Sequence, residues 1–129
     1  MRIMLTNETE LNPVSIYGGS REVQGAKRDT LYFVFPIEIG LDYLDSTFTS
    51  ENCESITIIE DSGESFIHKG YTVRAELSKK NMIIDNTLEN EPIHGYRLTV
   101  AMAQRTPSEN QLKALQDAVD LMAMEDVEV

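Results

Sequence analysis

The sequence predicts an α+β protein: a mostly antiparallel, twisted sheet of about six or seven strands, one short helix and one long C-terminal helix. Three stretches carry that expectation. Arg28–Pro36 (RDTLYFVFP) puts Leu31, Phe33 and Phe35 on one side of an extended chain, and Tyr32 and Val34 on the other. Both sides are apolar, so this strand belongs inside a sheet with material packed on each face. Tyr71–Leu77 alternates strictly, with Tyr71, Val73, Ala75 and Leu77 inward and Thr72, Arg74 and Glu76 outward, as in a half-exposed strand. Thr106-Pro107-Ser108-Glu109 combines a capping threonine, a proline at the first helical position and a glutamate three residues after the cap.

Taken in order, residues 2–17 read as a hairpin with arms Arg2–Leu5 and Leu11–Tyr17, Pro13 marking an edge position or a bulge. Gly18-Gly19-Ser20 reads as a turn, and Arg21–Ala26 as a short strand leading into the central one. After Pro36, Leu41, Leu44 and Phe48 recur at helical spacing, which predicts a short helix over about 40–48 lying on the sheet. Ser55–Ile59 is a strand, Asp61-Ser62-Gly63-Glu64 a hairpin turn, and Phe66–His68 its returning arm. Met82–Ile84 is a short apolar run, Asp85–Pro92 an acidic loop, and Tyr96–Ala103 the last strand.

From the capped start, Leu112, Leu115, Val119 and Met122 follow at spacings of three, four and three. They predict a helix over about 107–124, roughly 27 Å long at 1.5 Å per residue. The acidic tail, residues 125–129, opposes the negative end of the helix dipole and is expected to fray. Packing across its own sheet is the default for this helix; pairing of the stripe with another subunit is the alternative. The whole reads as a single domain, with a sheet-rich body over 1–105 and the helix over 106–124.

Composition narrows the function. With 129 residues, 41% hydrophobic, the chain can bury roughly two-thirds of its unfolded surface without staples. Twenty-two acids against 11 bases give a formal net charge of −11, which argues against binding a nucleic-acid backbone or an anionic membrane. The single cysteine, Cys53, excludes an internal disulfide and a paired-cysteine zinc site. No apolar run approaches the ~18 residues of a membrane span, and residues 1–5 are too short for a signal-peptide core. A cytoplasmic location, with release by lysis, is the expectation.

Constellations for catalysis are missing. There is no nucleophile elbow, no phosphate-cradling glycine loop and no metal-ligand helix. Cys53 with His68 or His94 as its base lacks anything nearby to lower the thiol pKa, and a buried structural thiol is the plainer reading. Asp61, Glu64 and His68 have no recognised metal-ligand spacing. The expectation is no enzyme, no metal and no cofactor.

Charge is segregated instead. Leu31–Ser65 holds eight acids and no base, whereas residues 66–80 carry Lys69, Arg74, Lys79 and Lys80 against Glu76 alone. Glu38, Asp42, Asp45, Glu60, Asp61 and Glu64 are therefore candidates for an acidic contact face, beside the stripe Leu112, Leu115, Val119 and Met122. Such a face suits contacts between subunits, imitation of a phosphate array, or plain solvation.

Several stretches in order resemble a family of small acidic late-gene proteins of tailed phages and prophages of Gram-positive bacteria, encoded between the tail or baseplate genes and the lysis genes. They are Gln24-Gly25 with Arg28–Phe35, then Phe48–Cys53, His68–Arg74, and Val100–Gln104 running into the capped helix. The resemblance implies a virion-associated or tail-assembly role through protein partners, itself included, with no catalytic motif to carry over. It places the protein in the host cytoplasm during assembly and in the virion. The alternative is an acidic, nucleic-acid-mimicking inhibitor of a host defence nuclease.

Overall fold

The computed structural model describes residues 1–127, and the side chains of residues 1–119. Eight strands form two four-stranded antiparallel sheets rather than one sheet of six or seven. β1 (Arg2–Met4), β2 (Glu10–Leu11), β5 (Ser55–Ile59) and β6 (Ser65–Lys69) are ordered β2-β1-β5-β6. β3 (Ser15–Val23), β4 (Ala26–Pro36), β7 (Val73–Asn86) and β8 (Pro92–Ala103) are ordered β3-β4-β8-β7. The helices are α1 (Leu41–Thr47), entered through a 3₁₀ turn at Ile37–Ile39, and α2 (Pro107–Val127).

β4 is the central strand that its residues predicted. Its register with β8 pairs Leu31 with Met102, Phe33 with Val100 and Phe35 with Leu98, all on one face. That face meets Ile3, Leu11 and Ile56 of the other sheet, together with Leu44 and Phe48, in one buried cluster. The Phe48 ring lies 5.5 Å from Phe33 and 5.9 Å from Phe35. These three rings and the aliphatic side chains around them are removed from water together, and that burial is the dominant favourable contribution to folding.

The opposite face of β4 carries no second layer from α2, whose residues 110–119 are all exposed. On that face Thr30, Val34, Thr99, Ala101 and Ala103 are buried and Tyr32 is half-buried. Tyr17 stacks on Tyr32 at 4.6 Å. Arg21 on β3 reaches Glu76 on β7 at 2.9 Å, a span that crosses both intervening strands.

Three further expectations change. The first hairpin is shorter than predicted: β1 pairs with β2 at Ile3–Leu11 and Met4–Glu10, after which the chain crosses to the other sheet. Gly18-Gly19-Ser20 is no turn but the middle of β3. The turn lies at Gln24–Gly25, where φ of 49° and 77° give the two-residue hairpin that favours glycine. The alternation of Tyr71–Leu77 is broken by a register shift between Arg74 and Glu76. That shift turns Arg74 away from solvent toward α1, where it donates to the Phe48 carbonyl at 2.7 Å and to Asp45 at 3.0 Å.

The acidic loop is also shorter than expected. β7 continues to Asn86 and β8 starts at Pro92, whereas β4 pairs with β8 only as far as Arg97. Asn81–Asn86 and Pro92–Tyr96 therefore form a two-stranded ribbon that projects past the sandwich. A second register shift at Ile84 lays that side chain over Gly95, where a Cβ would stand 2.6 Å from its Cδ1. Ile83, Ile84, Leu88, Ile93 and Tyr96 on this ribbon are all exposed.

Candidate interaction surface

α2 is the most exposed element, and its root is the most heavily bonded place on the surface. The capping box forms: the Thr106 amide donates to Glu109 Oε1 at 2.9 Å, and the Glu109 amide donates to Thr106 Oγ1 at 3.3 Å. Arg28, at the start of the central strand and only 5% exposed, lies beneath it. Its Nε donates to the Val23 carbonyl at 2.8 Å and its Nη1 to the Gln104 carbonyl at 3.3 Å, while the fork grips both Glu109 oxygens. The Arg28 guanidinium, with the Thr106 amide, holds the Glu109 carboxyl down at about 2.

A second fork completes the fastening. Arg105 donates to both oxygens of Glu54 at 2.6 and 2.8 Å and to Asn110 Oδ1 at 2.9 Å. Lys113 approaches the same glutamate at 3.7 Å. The Arg105 amide bonds to the Gly70 carbonyl, tying the approach to α2 to the loop after β6. α2 is thus fixed in direction at its first two turns by charged groups, and then leaves the body.

Beyond that root the predicted stripe stands bare. Leu112 is 66% exposed, Leu115 65% and Val119 62%. With Gln116 they form one open, largely apolar face of the helix. Packing across its own sheet, the default expectation for α2, is therefore overturned for the described side chains. Met122 belongs to the stripe by spacing and lies outside the described side chains. The helix continues through Val127, past the predicted end at 124; residues 128–129 lie outside the described residues.

The six acidic candidates do not form one face. Glu38, Asp42 and Asp45 gather at the 3₁₀ turn and α1, where Asp45 is engaged by Arg74. Glu60, Asp61 and Glu64 sit in the β5–β6 turn, a different element separated from α1 by the whole of β5. There the terminal ammonium of Met1 pairs with Asp61 and lowers its pKa. Glu54, from the same acidic run, is taken up by the α2 root. Segregation along the sequence has become two separate patches and a clasp.

The groups considered for catalysis stay apart. Cys53 is buried, and burial pushes its thiol up to about 12 against the opposite pull of Arg74. His68 pairs with Ile56 across the strands and meets Tyr71 edge-on at 5.9 Å. His94 lies on the ribbon opposite Ile83. Among the described residues no three His, Cys, Asp or Glu side chains stand close enough to hold a metal ion. No described helix is long and apolar enough to cross a membrane.

Sequence reasoning missed the clasp. The sequence marks Arg28 only as the first residue of the central strand, and neither Arg105 nor Glu54 stands out in it. The available signal was Arg105 just before the capping threonine, a cation set against the helix start and so in need of its own acid. No protein-family model, curated protein or solved structure matches the chain.

Proposed function

We propose that this chain is a non-enzymatic structural or assembly-accessory protein of a phage or prophage tail or baseplate, acting through protein–protein contacts. One observation carries the contact role: a helix aimed by buried and half-buried ion pairs at its root, yet with Leu112, Leu115 and Val119 of its apolar stripe in water. Exposed leucines that contribute nothing to their own fold are expected where a partner covers them. The tail or baseplate setting rests on the ordered stretches from Gln24 to Gln104 that resemble the late-gene family. The unreactive setting of Cys53 supports a role without covalent chemistry. Partition of the acids into two patches, each with an ion-paired member, lends no support to a continuous phosphate mimic.

The test uses the parent phage. Purified virions, or assembly intermediates captured before lysis, are expected to contain the chain in fixed stoichiometry by mass spectrometry. Replacing Leu112, Leu115 and Val119 together by glutamine should remove it from those particles. The unfolding free energy should move by less than about 0.5 kcal/mol per site, because exposed side chains are being changed. Retention of the triple variant in particles at wild-type level would refute the role given to α2.

A further inference from the structure

We infer that β3 pairs with the β3 strand of a second copy, joining two β3-β4-β8-β7 sheets into one eight-stranded sheet across a twofold axis. β3 is an edge strand nine residues long. Folded proteins blunt such edges with lysine, proline or bulges. The opposite edge, β7, has Lys79 and Lys80 and two register shifts. β3 has no lysine, no proline and an unbroken register with β4 over nine pairs, and its two charges, Arg21 and Glu22, are of opposite sign and confined to its turn end. One edge is guarded and the other is open.

The glycines point to the same place. Gly18 and Gly19 sit mid-strand, and neither has a positive φ. A Cβ on Gly18 would have the Thr30 carbonyl oxygen at 3.9 Å as its nearest neighbour, and one on Gly19 the Tyr32 ring at 3.5 Å. Both are ordinary contacts, so the chain's own fold gives no reason for two residues that weaken a strand. Glycine inside a strand marks a position where another backbone comes close.

Strand geometry then selects a register. The two-residue turn at Gln24–Gly25 closes on a hydrogen-bonded Val23–Ala26 pair. Alternate residues Glu22, Ser20, Gly18 and Ile16 therefore direct their N–H and C=O groups away from β4. Antiparallel pairing centred on Gly19 uses all four: Ile16 meets Glu22 and Gly18 meets Ser20 of the second copy, each pair occurring twice. Half-exposed Tyr17 falls opposite Arg21, and no like charges face one another. The two Gly19 residues form a non-hydrogen-bonded pair, whose Cα atoms approach to about 4.5 Å.

This inference stands independently of the role proposed for α2, and the experiment separates them. Sedimentation of the full chain at tens of micromolar should give a dimer, both as wild type and with Leu112, Leu115 and Val119 changed to glutamine. Gly18→Lys with Ser20→Lys sets lysine against lysine twice across the axis and should weaken dimerisation at least tenfold. Gly18→Glu with Ser20→Lys sets opposite charges in the same places and should restore it. Both positions are exposed, so circular dichroism should be unchanged in either variant. Gly19→Cys should give a disulfide-linked dimer on oxidation, since Cys53 is buried and does not compete. A monomeric wild type, a dimer indifferent to the lysine pair, or no rescue by the glutamate–lysine pair would each overturn the proposal.

Discussion

Replacing Arg28 by methionine should loosen α2 at its root while leaving the apolar core intact. Methionine keeps most of the buried stem and removes only the guanidinium. Two bonds to backbone carbonyls, at Val23 and Gln104, are lost with it, along with the grip on Glu109. Hydrogen bonds from a charged donor each contribute about 1.5–3 kcal/mol net, and neighbouring losses are not fully additive, so about 3 kcal/mol is expected. In a domain of this size that lowers the melting temperature by roughly 10 °C. Thermal unfolding followed by circular dichroism at 222 nm supplies the measurement. Hydrogen exchange at the Thr106, Glu109 and Asn110 amides should accelerate more than at Phe33 or Val100, because the helix root loosens first. A melting temperature within 2 °C of wild type (about 0.5 kcal/mol) would refute the assignment of Arg28 as the anchor of α2.

Acid should act at the same place. The Glu109 carboxyl, held near 2 chiefly by Arg28 against an ordinary 4.5, contributes stability that is fully present above pH 4.5 and is lost as pH falls through 2. Comparing melting temperatures of wild type and Glu109→Gln should show a difference that narrows across that window. Phe33→Ala, at a fully buried position, should cost about 3–5 kcal/mol, a large part of the 5–15 kcal/mol typical of a whole domain. Urea titration reads it. Cys53, buried with its thiol near 12, should react with an aromatic disulfide reagent at pH 8 only as fast as the chain opens. Rapid labelling of native protein would contradict its placement.

Several individual elements were legible because their signals are local and repeated, whereas the division into two sheets was not. β4 announces itself by nine residues with apolar side chains on both faces, α2 by its cap and stripe, and the β5–β6 hairpin by Asp61-Ser62-Gly63-Glu64 between two apolar runs. What was not legible depends on partners distant in the chain. Nothing near Gly18-Gly19 says that β4 holds them extended, so their turn propensity dominated the reading. The register shift at Ala75 is a two-strand property, and it reversed the orientation assigned to Arg74. The clasp joins Arg28 to Glu109 and Glu54 to Arg105, across 81 and 51 positions, and no window of sequence contains both members. The acidic candidates divide for a related reason: closeness along the chain does not set closeness in space, and the whole of β5 lies between α1 and Glu60–Glu64.

One pair of strands here lives under two regimes. Within the sandwich, β7 and β8 have neighbouring strands and a core; beyond Arg97 they hydrogen-bond as strands only to each other, and a two-stranded ribbon is barely stable in water. Amide protection should therefore fall along a single strand, high at Val100 and low at Ile93. The reach of the projecting part is also free to drift over evolution. Adding or deleting one residue pair on each strand, two positions at a time, preserves which side each chain faces and leaves the packed half untouched.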